Sequence, residues 1–280
     1  MVATRDLKMG DLIVSERPLF VTCPAASSKL DVPDDTPMEQ RIQAMLAQWE
    51  KALECGFHRM SEENQVAFKA LANSHTQDGS GPILGVIRTN GFGISLGKDE
   101  KKDSTVHSAI YDHISRVNHS CTPNSSHTFS VVSFSGQLRA VRDIKKGEEI
   151  FVNYCDIDVP TAERQKKLDP YGFRCACQSC SDPHSDGKLK AIINSAKGMG
   201  IYRCMSSRAE ETRRLEESFR WLKKIEEQGL QKLPAYERHM DAIARSSMFL
   251  GKMENFAKYS PLRSAWSNAT SGNPQVMMLF

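Results

Sequence analysis

The stretch Arg116-Val-Asn-His-Ser-Cys-Thr-Pro-Asn124 crowds two amides, an imidazole, hydroxyls and a thiol into nine residues. Pro123 has no N–H and biases Thr122 toward an extended backbone, so the segment is expected to leave a short helix and turn sharply. Polar side chains on a loop held by a rigid scaffold are where binding and catalysis concentrate. Taken alone, the same residues also suit a polar surface loop. Two later stretches join it: Gly147-Glu-Glu-Ile-Phe-Val-Asn-Tyr154 and Tyr171-Gly-Phe-Arg-Cys-Ala-Cys-Gln-Ser-Cys180.

In the last of these, Cys175, Cys177 and Cys180 form Cys-x-Cys-x2-Cys. Three thiolates within six residues cannot all pair with one another, and such crowding suits tetrahedral Zn²⁺ bound by sulfur at about 2.3 Å. A structural zinc takes a fourth protein ligand, and Cys121, Cys155, Cys23, Cys55, Cys204 and His184 are the candidates. The bland alternative is a set of free thiols on a surface turn.

The elements that must position these residues are those of an ordinary globular chain. Its 280 residues suit two domains, or one with a large appendage. Apolar content of 40% and charged content of 25% are unexceptional, and a net charge of +3 is weak support for a polyanion-binding face. No apolar run is long enough to span a membrane, and the N-terminus lacks the apolar core of a signal peptide. Eight cysteines without a secretory signal point to a reducing, intracellular setting.

Residues 3–14 and 140–151 repeat one pattern, Ala-x-Arg-Asp-[Leu/Ile]-Lys-x-Gly-acid-x-Ile, in register. Each copy reads as a strand, a turn closed by glycine and a second strand, and the two are expected in one compact β region. Between them, Thr36-Pro37-Met38-Glu39 is a helix start, with Met38, Ile42, Met45, Leu46, Trp49 and Leu53 on one apolar face and Gly56 as the stop. A second helix is expected from Ser61, burying Val66, Ala70 and Leu71 and ending at Asp78–Pro82. Residues 36–72 are thus a helical insert. Ile83–Thr89 is ambiguous between strand and helix, Asn90–Gly93 reads as a turn, and residues 97–106 as a charged loop. Thr128–Phe134 and Gln137–Val141 form a hairpin about Ser135-Gly136. Beyond Cys180, Leu215, Phe219, Leu222 and Ile225 make one helical stripe and Tyr236, Met240, Ile243 and Ala244 another, resembling a fragment of a helical-repeat domain. The tail from Ser267 is expected to be disordered.

Taken together, Asn118-His119-Ser120-Cys121-x-Pro123-Asn124, Gly147-Glu148-Glu149-Ile150…Asn153-Tyr154 and Tyr171-Gly172-Phe173…Cys175-x-Cys177-x2-Cys180 resemble the SET-domain lysine methyltransferases that carry a post-SET zinc cluster. The resemblance covers about residues 1–182. The helical insert is similar to that of the SET-and-MYND (SMYD) proteins, without a MYND cysteine series. The resemblance implies a SET-type β-fold of several small sheets over 1–174 with an insert at about 36–75 and a post-SET zinc segment at 175–182; with the C-terminal α-helical region that periodicity gives at 188–266 and a disordered tail at 267–280, the whole is expected to be an α+β chain. The resemblance also implies that Arg116, Asn118, His119, Tyr154 and Phe173 bind S-adenosylmethionine, that Tyr154 and Tyr171 form the catalytic lysine channel, and that Cys121 joins Cys175, Cys177 and Cys180 around a structural Zn²⁺. The substrate would be a lysine on a histone or another protein, taken by a monomer in nucleus or cytoplasm with no nucleic-acid or membrane contact. One departure stands out: the Gly-x-Gly that family members place ahead of the Val-Ala-x-Arg-Asp strand is absent from this sequence. That leaves a second reading, a catalytically impaired SET scaffold serving as an interaction module.

Overall fold

The two copies of the repeat pair with one another. Leu7 N–H donates to the Ile144 carbonyl and Ile144 N–H to the Leu7 carbonyl, both at 2.9 Å. Leu7 and Ile144 hold equivalent places in the repeat, so the copies are related by a local twofold axis at this bridge. The flanks obey the same symmetry. Asp6 accepts from the Lys146 backbone N–H at 2.9 Å and pairs with Lys145, while Asp143 accepts from Met9 N–H at 3.1 Å and pairs with Lys8. These ion pairs are exposed and contribute little; the backbone bonds fix the arrangement. Gly10 and Gly147 both close their turns at positive φ, +92° and +86°. Neither copy folds back on itself as a hairpin, contrary to the strand–turn–strand reading. Each first half meets the other copy instead.

The structure is a computed structural model that describes residues 1–23, 33, 35–97, 106–199 and 207–272. Strand β1 (Leu12–Glu16) pairs with β7 (Ser135–Ala140), which pairs in turn with β6 (Ser125–Ser130). A second sheet runs β2 (Phe20–Thr22), β4 (Val106–Ile110), β3 (Phe92–Ser95), and a third is the short parallel pair β5 (Asn118–His119) and β8 (Phe151–Val152). The β6–β7 hairpin turns at Val131–Phe134, with Phe134 at φ +49°, not at Gly136. Gly136 sits inside β7 because a Cβ there would meet the Tyr111 ring at 2.5 Å.

The insert holds α1 (Met38–His58), α2 (Glu62–Lys69) and then α3 (Pro82–Asn90), which settles the ambiguous 83–89 run as helix. Pro37 takes the N-cap position of α1 with no side-chain cap, and the helix runs through Gly56 because Phe57 packs on Phe68 at 5.4 Å. Only the C-terminal half of the expected stripe is covered. Leu46, Leu53 and Phe57 pack with Ile83, Leu84 and Ile87, whereas Met38, Ile42 and Met45 are exposed. Ser61 caps α2 by accepting from Asn64 N–H, but the helix buries Phe68, with Leu71 just beyond it, and leaves Val66 and Ala70 exposed. It ends at Lys69, and Asp78–Pro82 leads into α3 instead. Buried Glu50 of α1 accepts from the N–H groups of Ile83 and Leu84 at 2.9 and 2.7 Å, satisfying the free donors at the start of α3. Asn90 ends α3 and Phe92 already lies in β3, so 90–93 is no turn. Most of the charged 97–106 loop lies outside the described residues.

The remaining helices are α4 (Thr161–Leu168), α5 (Gln178–Ser181), α6 (Ser185–Ser195), α7 (Arg208–Glu227), α8 (Pro234–Leu250) and α9 (Met253–Ser271). Both expected stripes meet in one core: Leu215, Leu222 and Ile225 of α7 against Tyr236, Met240 and Ile243 of α8, with Leu189, Trp266 and Ile157. Residues 267–271 are the end of α9, with Ser267 and Ala269 buried, which corrects a disordered tail starting at Ser267. Residues 273–280 lie outside the described residues. Among those described, no helix is long and apolar enough to cross a membrane.

Candidate active site and metal centre

The Arg116–Asn124 stretch is held from both ends. Before it, Glu16 of β1 accepts from the N–H groups of His113 and Ile114 at 3.0 and 2.6 Å, fixing a 3₁₀ turn at Ile114–Arg116. Asn118 and His119 then run parallel to Phe151 and Val152. At its far end Asn124, fully buried, donates to the Glu149 carbonyl at 2.8 Å and accepts from Phe151 N–H at 2.8 Å. The first and second motifs are therefore one hydrogen-bonded unit.

His119 is the hinge of this unit. Its Nδ1 accepts from Tyr154 N–H at 2.9 Å, so in the neutral ring the proton sits on Nε2, which faces Cys121 Sγ at 3.3 Å. Burial pushes its pKa down to about 4. Tyr154 donates its hydroxyl to the Val117 carbonyl at 2.7 Å, and burial pushes its pKa up to about 12, so the phenol stays neutral with its oxygen lone pairs free.

Asn118, His119, Tyr154 and Phe173 line one cavity of about 540 Å³, joined by Phe151, Arg142, Arg174 and Gln178. That volume falls in the range of roughly 300–1,000 Å³ typical of small-molecule sites. Its lining carries two guanidinium groups and no carboxylate. Tyr171 lies outside the lining, its ring 4.9 Å from that of Tyr154, and Phe173 stands edge-on to Tyr154 at 6.5 Å. Arg116 is not brought to the cavity. Its guanidinium donates to the carbonyl and carboxylate of Asp112 and to the Ala70 carbonyl.

The sulfurs of Cys121, Cys175, Cys177 and Cys180 all lie within 4.8 Å of one another. Cys121 is 3.5 Å from Cys180 and 4.0 Å from Cys175. A tetrahedron with bonds of about 2.3 Å has edges of about 3.8 Å, so this donor set fits a four-sulfur metal site. Thiol hydrogen bonds from Cys121 and Cys175 already draw Cys177 toward the thiolate. Gln165 clamps Cys175 by donating to its carbonyl at 2.8 Å and accepting from its N–H at 3.1 Å. Cys155 is buried nearby but stands outside the group, as do Cys23, Cys55 and His184 among the described residues; Cys204 lies beyond them.

A family model described as SET domain matches residues 1–155, more than half of the chain. The chain belongs to the SET-domain family. The histone-lysine N-methyltransferase set5 of Schizosaccharomyces pombe is 38% identical over 132 residues, 47% of this chain and 38% of that protein. The N-lysine methyltransferase SMYD2 of Homo sapiens is 37% identical over 115 residues, 40% of this chain and 24% of that protein. SMYD2-A of Xenopus laevis is 31% identical over 142 residues, 49% of this chain and 31% of that protein. Against these three relatives the SET-domain chain therefore spans only 24–38% of their length. Residues of this chain that sequence reasoning passed over are Asn124 as the clamp between motifs, Arg142 and Arg174 in the cavity, and Arg164 beside the sulfurs. Only Asn124 carried a signal, its place at the end of the motif.

Proposed function

We propose that this chain transfers a methyl group from S-adenosylmethionine to a lysine side chain of a protein. The observation that carries the reading is the position of Tyr154: it lines the cavity with Asn118 and His119 while its ring packs on Tyr171, outside that cavity. A cofactor site and an aromatic pair thus share one wall. S-adenosylmethionine, when bound, supplies a methyl group made electrophilic by a positively charged sulfur. Asn118, His119 and the face of Phe173 would hold the cofactor, with Arg174 placed to meet its carboxylate, since Arg142 is already paired with Glu148.

The attacking amine must be neutral, and a free lysine titrates near 10.4. Tyr154 and Tyr171 offer ring surface that disfavours the ammonium by desolvation and aligns the nitrogen for in-line attack. Because the Tyr154 proton is committed to the Val117 carbonyl, its oxygen can only accept, which suits holding an amine N–H. A phenol with a pKa of about 12 does not serve as the base at neutral pH, so the amine proton leaves to water. We infer that Cys121, Cys175, Cys177 and Cys180 bind a structural Zn²⁺ that ties the motif loop to the Phe173 segment. In this reading the SET domain ends near residue 174, with the zinc segment at 175–182 and the helical region after it.

The test is tritium transfer from labelled S-adenosylmethionine to core histones and to a lysine-containing peptide library. Label recovered as methyl-lysine, and lost in Tyr154→Phe, is the expected result. Cofactor binding without any transfer to lysine would overturn the assignment.

A further inference from the structure

Arg164 is among the largest fully buried side chains of the molecule, 1% exposed, yet it lies in the first turns of the short, charged helix α4. A guanidinium cannot shed its charge, and a buried charge requires an anion or a dense set of hydrogen bonds. Its partners among the described residues are neutral: the Val159 carbonyl at 2.6 Å, Thr161 Oγ1 at 2.9 Å and Ser179 Oγ at 3.0 Å. Its Nε is buried with no hydrogen-bond partner. No carboxylate pairs with it among those residues. The groups left to balance it are the sulfurs of the neighbouring cluster. Ser179, which accepts from Arg164 at 3.0 Å, stands between Cys177 and Cys180 and places the guanidinium at the cluster.

We infer that Arg164 is the charge-balancing residue of the metal centre, a buried cation that allows four thiolates to gather in the interior and ties them to the start of α4. The inference rests on the zinc reading given above. Four thiolates around a divalent ion leave a net charge of about −2, and one guanidinium reduces it to about −1. Its hydrogen bonds also bridge segments. Thr161 Oγ1 accepts from Arg164 and donates to Asp186 of α6 at 2.7 Å, while Ser179 lies in α5 between Cys177 and Cys180. Arg164 is thus a positioning residue, linking the metal centre to the C-terminal helices. Neighbours that orient metal ligands typically change affinity by about 10–100-fold when removed.

The test uses the full chain, its zinc content, and competition for Zn²⁺ against a chromophoric chelator, in parent, Arg164→Met and Arg164→Lys. We expect Arg164→Met to bind zinc about 10–100-fold more weakly than the parent, and Arg164→Lys to lie between them because it keeps the charge but loses the planar fork. The melting temperature of the zinc-loaded protein should fall in Arg164→Met, whereas that of the chelated protein should hold or rise, since an uncompensated buried charge has been removed. Equal losses in both forms, with affinity within about twofold of the parent, would make Arg164 a packing residue and overturn the inference. If Arg164→Met does not accumulate as folded protein, Arg164→Lys alone decides, with a roughly threefold to tenfold fall expected and no change overturning it. A parent that takes up no zinc sinks the zinc reading itself, a result distinct from a zinc-loaded parent that is indifferent to Arg164.

Discussion

Replacing Tyr154 by phenylalanine removes one oxygen and leaves the ring in place. The ring contacts carry the packing: Tyr171 at 4.9 Å, His119 at 5.3 Å and Phe173 at 6.5 Å. The lost hydroxyl is buried and donates to the Val117 carbonyl at 2.7 Å, so the fold should lose about 1 kcal/mol, and up to about 3 kcal/mol if no water reaches that carbonyl. For a protein of 280 residues that is a fall in melting temperature of roughly 2–5 °C. The effect on chemistry should be larger. An acceptor that aligns the amine is gone, and misalignment on this scale costs on the order of 100-fold in turnover, about 2.7 kcal/mol in the barrier. Cofactor affinity, set by the cavity walls that remain, should stay within about threefold. Single-turnover tritium transfer gives the rate and equilibrium dialysis the affinity. A turnover within about threefold of the parent would remove the hydroxyl from the mechanism, and loss of affinity matching the loss of rate would show that Tyr154 only builds the cavity.

Cys121→Ser should lower zinc content and cofactor affinity together, while Cys55→Ser, exposed on α1, should change neither; metal analysis showing full zinc in Cys121→Ser would make Cys121 a packing residue. Asn124→Ala leaves Phe151 N–H and the Glu149 carbonyl without their partner and should cost about 2–5 kcal/mol by urea denaturation; a loss under about 1 kcal/mol would mean the two motifs are not clamped there. Lys232, whose ammonium donates to Asn153 Oδ1 and meets no carboxylate among the described residues, is pushed down by burial to about 8. An unfolded lysine titrates near 10.5, so the unfolded chain binds more protons between pH 8 and 10.5 and stability rises with pH across that window. Lys232→Met should therefore stabilise the chain by about 1–3 kcal/mol near pH 7, with an advantage that shrinks toward pH 10; a constant or negative difference across the same urea series would contradict the assignment.

Where candidate residues sit in contiguous runs, the place they share in the fold is legible. The three motifs name the cavity wall and the aromatic pair because each is a short run whose spacing carries meaning. The fourth sulfur is not legible from spacing, since Cys121 and Cys175 are 54 residues apart and are brought together by the fold, with the parallel β5–β8 contact on one side and the Gln165 clamp on the other. Arg116 illustrates the opposite error: a cation beside the motif pairs with Asp112, one turn back, before it can reach the cavity. Periodicity shows that α1 has an apolar face but not how far a neighbour covers it, so Met38, Ile42 and Met45 were expected inside and lie exposed. The last helix, α9, falls largely within the helical region expected at 188–266 but has no stripe to mark it, because Pro261 lies within it and its apolar residues do not gather on one side. Gly136 signals a turn until Tyr111, 25 residues earlier, is seen to need the space. The repeat is the converse case: its two copies were visible at once, but the twofold pairing through Leu7 and Ile144 requires the fold.

On the proposed function, the Asn118–His119 loop, Tyr154 and the Phe173 segment together form one cofactor site. Equilibrium dialysis of labelled S-adenosylmethionine against the zinc-loaded and the chelated chain measures it directly. We expect saturable binding to one site in the loaded protein and clearly weaker binding after chelation, with the β-sheet signal unchanged by circular dichroism. No binding up to millimolar cofactor in the zinc-loaded chain, or equal binding in both forms, would contradict it.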